Sequence, residues 1–128
     1  MTFQWQNGLP FMSVQLLIGD SSVIVLHHVL IDTGAASSLF SIDKVFENGI
    51  VIEDSDVICK MVGIGGREHV IQRSINEISF ADISVTNPTV QFGEMDYGFV
   101  IDGIIGADIL RQIGAVINFT DNTIITGK

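Results

Sequence analysis

Short Val- and Ile-rich runs, each closed by Gly, Asn, Asp or Pro, dominate this chain and leave little room for long helices. Such runs with regular turn signals are the pattern of an all-β sandwich or barrel. Val14 to Ile18 and Val23 to Ile31 flank Gly19-Asp20-Ser21-Ser22, so a hairpin is expected whose second arm ends at Asp32. Val57 to Val62 and Arg67 to Ile75 flank Gly63-Ile64-Gly65-Gly66, whose glycines suit the tip of a second, mobile hairpin. Glu77 to Phe80 and Ile83 to Phe92 read as further strands, with Pro88 marking an edge or a bulge. Ser41 to Gly49 reads as a brief helical turn that Ser41 caps. Towards the end, a short helix from Ala107 to Gln112 stops near Gly114, before a hairpin of Ala115 to Phe119 and Thr123 to Thr126. With no repeat or linker, residues 1–128 are read as a single domain.

A chain of 128 residues can bury one core. Hydrophobic residues make up 47% and charged ones 16%, an apolar surplus that points to a partner subunit. The net charge of -9 opposes binding to phosphate backbones, which excludes nucleic acid and anionic membranes as expected partners. Cys59 is the only cysteine, so a reducing compartment fits. Met1 to Gly8 lacks the pattern of a secretory leader, and His27 and His28 interrupt the longest apolar run, so a cytoplasmic setting is expected.

The chemistry-bearing feature is Asp32-Thr33-Gly34. An apolar strand runs into the Asp, a Gly follows where a close backbone approach needs no Cβ, and the small residues Ala35-Ala36-Ser37-Ser38 come next. That setting puts a carboxylate at a strand end beside an open floor. The same triplet also serves in a plain turn, with Asp32 starting it and Gly34 supplying a positive φ. Adjacent His27 and His28 point to opposite strand faces with no third ligand near them, so they are read as ordinary strand residues rather than a metal site.

With Gly63-Ile64-Gly65-Gly66 and Ile104-Ile105-Gly106 following in order, the chain resembles the retropepsin family, the retroviral proteases and their single-domain cellular and bacterial relatives. Leu30-Ile31-Asp32-Thr33-Gly34-Ala35 resembles the active-site strand and loop, Met61 to Gly66 the flap tip, and Ile104-Ile105-Gly106 the segment before the C-terminal helix. The resemblance implies a closed, barrel-like all-β protomer with one short C-terminal helix. It also implies a homodimer, since this chain has one Asp-Thr-Gly and must take its second carboxylate from a copy of itself.

The implied activity is that of an aspartic endopeptidase on peptide or protein substrates, needing no cofactor or metal. The two Asp32 carboxylates share one proton; one activates water and the other polarises the scissile carbonyl. In this analogy Asp32, Thr33 and Gly34 are catalytic, with Thr33 locking the two loops across the dimer. Ala35, Gly63, Ile64, Gly65, Gly66, Ile104 and Ile105 contact substrate. Where retroviral enzymes carry an ion pair near the interface, this chain has Ala36 and Ala107, which bears on the strength of the dimer. Asp108 is assigned a structural role at the start of the helix. The competing reading is a catalytically silent peptide-binding or dimerisation module of the same fold.

Overall fold

Val14, Leu16 and Ile18 alternate with more exposed residues, and this period of two turns them into the core from strand β2 (Leu9–Ile18). The computed structural model describes residues 2–19, 22–63, 66–80 and 82–127. Strands take up 53% of the chain against two short helices, so the all-β expectation holds in that form. A three-residue strand, β1 (Gln4–Gln6), pairs with β2, which then pairs with β3 (Ser22–Ile31). Asp20 and Ser21, at the tip of that hairpin, lie outside the described residues.

On β3 the buried residues are Ile24, Leu26, Val29 and Ile31, so the alternation slips by one at His27-His28. The pairing shows why: Met12 faces Val29 and Val14 faces Leu26, leaving Ser13 opposite two residues of β3. This is a β-bulge, and it sets the phase with which the strand reaches Asp32.

After Asp32 the chain loops to β4 (Leu39–Ser41) and α1 (Ile42–Glu47), whose first turn Ser41 caps by accepting from the Lys44 N–H. The second hairpin is β5 (Val57–Gly63) and β6 (Gly66–Ser74), and β7 (Glu77–Phe80) and β8 (Ile83–Thr86) form a third. β9 (Thr89–Gly93) is a separate strand, so the single run expected from Ile83 to Phe92 is divided. The cause is local: Asn87 adopts a φ of 53°, and Pro88 has no N–H to continue a ladder. β7 pairs with β2 and β8 with β7, while β9 crosses to β6 and β4.

Next come β10 (Gly103–Ile105) and α2 (Ala107–Gln112), the latter with the expected bounds, then the hairpin of β11 (Ala115–Asn118) and β12 (Thr123–Thr126). The main sheet runs β5-β6-β9-β4-β10-β3-β2-β7-β8. Its decisive feature is β10, which lies parallel to β3 on one side and antiparallel to β4 on the other. The chain between β3 and β4 must therefore pass over the end of β10. Leu16, Phe40, Ile78, Ile105 and Ile124 are fully enclosed in one core, each worth about 1.5–3 kcal/mol by burial. No helix among the described residues is long and apolar enough to cross a membrane.

Candidate active site

Asp32 occupies the first position after β3, half-buried at the end of an apolar strand. Its main-chain N–H donates to the Ile105 carbonyl at 2.9 Å, which fixes the start of the loop against β10. The Ala35 N–H returns to the Asp32 carbonyl at 3.2 Å, and the Gly34 N–H donates to Asp32 Oδ1 at 2.9 Å. These bonds make a tight turn around the carboxylate, but Gly34 does not take the positive φ that a plain turn would ask of it. A Cβ there would stand 3.3 Å from Asp32 Oδ1. Glycine thus leaves the approach to the carboxylate open. None of the ion pairs among the described residues includes Asp32.

The far half of the loop is clamped from α2. Ser38 is fully buried; its Oγ donates to Asp108 Oδ1 at 2.7 Å and accepts from the Gly106 N–H at 2.9 Å. The Ser38 N–H donates to Asp108 Oδ2 at 2.9 Å, and the Ala107 N–H donates to the Ala35 carbonyl at 2.7 Å. Gly106 is pressed so closely on the loop that a Cβ would meet the Ala35 carbonyl oxygen at 2.7 Å and that of Ser37 at 2.9 Å. Sequence reasoning placed Asp108 in a structural role but missed its partner Ser38. The available signal was a hydroxyl in a run of small residues directly before the buried Leu39-Phe40.

The structure therefore gathers Asp32, Thr33, Gly34, Ala35 and Ile105 at one place. Ile105 has its side chain fully buried and offers the loop its carbonyl, while Ile104 is half-buried on the same strand. Thr33 and Gly34 are exposed. Beside Thr33, a concavity of about 360 Å³ is bounded by Ala107, Leu110, Arg111, Ala115 and Ile117. Gly63 and Gly66 face each other across the end of the β5–β6 hairpin, which joins the site's sheet through β9. Ile64 and Gly65 lie outside the described residues.

A second missed group lies upstream, at His28 on β3 and at Asp102 directly before β10. Asp102, buried, accepts the His28 N–H on Oδ2 at 3.2 Å and donates its own N–H to the His28 carbonyl at 2.7 Å. His28 Nδ1 stands 3.5 Å from the same carboxylate oxygen.

The family model described as aspartyl protease, from the retropepsin-like clan, matches residues 14–109, from β2 into α2 and so most of the chain. No curated protein matches.

Proposed function

The chain belongs to the aspartyl protease family, and from that premise we propose that it is an aspartic endopeptidase working as a homodimer. Each protomer, closing in a barrel-like shape, contributes one Asp32. The observation that carries the reading is the state of Asp32: a carboxylate at a strand end, held by its backbone, reached by a loop N–H and in no ion pair among the described residues. A group so placed has acceptor capacity to spare for a water or a second carboxyl.

Across a two-fold axis the two carboxylates share one proton. The ionised one takes a proton from a bound water, which attacks the scissile carbonyl, and the protonated one polarises the carbonyl oxygen and later protonates the leaving amine. Exposed Thr33 beside its concavity suits a bond to the partner loop. The apolar side chains Val116 and Ile125, exposed by about half on the terminal hairpin, suit a subunit contact. Gly63 to Gly66 close over an extended peptide, and Ala35 and Ile104 border it. One free cysteine accords with a reducing, cytoplasmic setting.

The test is an apolar peptide library cleaved across a dilution series, with sedimentation at the same concentrations. Mass should double, and specific activity should fall as the dimer dissociates; a statine-type inhibitor should block cleavage, and a chelator should not. A monomer that binds peptides without cutting them would replace the protease by a binding module.

A further inference from the structure

We infer that Asp102 is a positioning residue for Asp32, acting through β10; this rests on the protease reading of the Asp32 site. The bulge at His27-His28 is where β3 changes phase, four residues before the carboxylate. Such a bulge locally breaks the ladder and leaves the extra residue unpaired unless another group takes up its N–H and carbonyl. Asp102 is that group. Its main-chain N–H donates to the His28 carbonyl at 2.7 Å and its carboxylate accepts the His28 N–H at 3.2 Å, so one residue closes both polar groups of the bulged position. Its carbonyl accepts from the Ser41 N–H at 2.8 Å, tying β4 to the same point.

From there the constraint travels along a short, tightly packed strand. A Cβ on Gly103 would meet Phe40 Cδ1 at 2.5 Å and the Leu39 carbonyl oxygen at 3.2 Å, so β10 has no room to shift sideways. Two residues later the Ile105 carbonyl receives the Asp32 N–H, and the next two amides, of Gly106 and Ala107, donate to Ser38 Oγ and the Ala35 carbonyl. Asp102 fastens one end of a strand whose other end holds both sides of the Asp32 loop. The carboxylate is not catalytic, since its contacts are with His28 and not with the loop. The His28 imidazole, over a third exposed and 3.5 Å away, is secondary to the main-chain bond.

The experiment compares the full chain with Asp102→Ala, Asp102→Asn and His28→Ala, by amide hydrogen exchange and by kinetics. In Asp102→Ala the Asp32 amide should exchange about tenfold faster, with the Leu16 amide on β2 unchanged. At the same time kcat should fall about ten- to a hundredfold at nearly constant KM, because a small displacement of the reacting group costs rate more than binding. Asp102→Asn, whose amide oxygen still accepts the His28 N–H, should restore most of kcat, and His28→Ala should stay near the parent. If Asp102→Ala does not fold, Asp102→Leu keeps the bulk without the acceptor and carries the same expectation. An unchanged Asp32 exchange rate, an unchanged kcat, or an Asp102→Asn variant as impaired as Asp102→Ala would each overturn the inference. A parent that cuts no peptide would instead sink the protease reading, and the exchange rates would still decide the role of Asp102.

Discussion

The loops that carry Asp32 and Asp56 both fold around a carboxylate, yet they treat it in opposite ways. The Asp56 side chain is almost wholly enclosed, and three donors reach its two oxygens. Arg73 Nε reaches Oδ1 at 2.6 Å, Arg73 Nη2 reaches Oδ2 at 2.5 Å, and the Glu53 N–H donates to Oδ2 at 2.8 Å. The same guanidinium donates to the Val51 carbonyl at 2.7 Å, so one bidentate pair gathers the loop before β5 onto β6. Asp32 has one loop amide on one oxygen. Where a buried carboxylate is held by a bidentate guanidinium and a backbone donor, it is a structural tie. Where the backbone does the holding and the carboxylate is left under-used, it is available for chemistry.

Asparagine neutralises each carboxylate without changing its size. Asp32→Asn should lower kcat/KM about a thousandfold, since acid-base capacity goes while volume stays. Its thermal midpoint should match the parent's or rise, because in the proposed dimer two carboxyls that compete for one proton are replaced by neutral amides. Asp56→Asn should do the reverse, lowering the midpoint while the folded fraction keeps its kcat. An Asp32→Asn enzyme that still cuts peptides near the parental rate would remove Asp32 from the mechanism.

A smaller effect should follow from removing the partner of Asp56. Arg73→Ala leaves a buried carboxylate with a single backbone donor, and breaking such a pair typically costs about 3–5 kcal/mol. Urea unfolding should show that loss with an unchanged slope. A cost below about 0.5 kcal/mol would place the pair with surface ion pairs that contribute little, and the contrast with Asp32 would then rest on Asp32 alone.

What could be read from the sequence divides along the same line as local and distant contacts. The apolar run into Asp32, the Ser41 cap of α1 and the stop of α2 near Gly114 were legible because the determining residues are neighbours in the chain. The three-residue strands β1 and β4 were not, since so short a run shows no period. The supports of the site were hidden for a different reason. Ser38 meets Asp108 70 residues away, and Asp102 meets the His28 amide 74 residues away. Each polar residue reads alone as a surface group, and only the insertion of β10 between β3 and β4 brings the partners together. The His27-His28 bulge was masked because both strands keep a regular apolar pattern on either side of it. The split between β8 and β9 was visible only in part, as Pro88 marked the place but not the left-handed Asn87 before it.

The smallest difference between the two loops should appear on acidification. Hydrogen bonds from Arg73, aided by the Glu53 N–H, hold the Asp56 carboxyl below its ordinary value of 3.8, against the burial that would raise it. The same contact raises Arg73. A carboxyl whose folded value lies below its unfolded one binds its proton more readily when unfolded. Its contribution to stability is therefore complete at pH values above 3.8, shrinks as pH falls below that point, and is gone once pH passes below the lowered folded value. The parent should accordingly lose more stability than Asp56→Asn on acidification through that window, and the two unfolding midpoints should converge at its acid end. The difference between the two curves isolates Asp56, because the other carboxylates titrate in both proteins. It should be smaller than the cost of Arg73→Ala, since protonation removes a charge and leaves both side chains in place. Curves that run parallel from neutral pH to acid would show that Asp56 gains nothing from its charge, and burial alone would then separate the two loops.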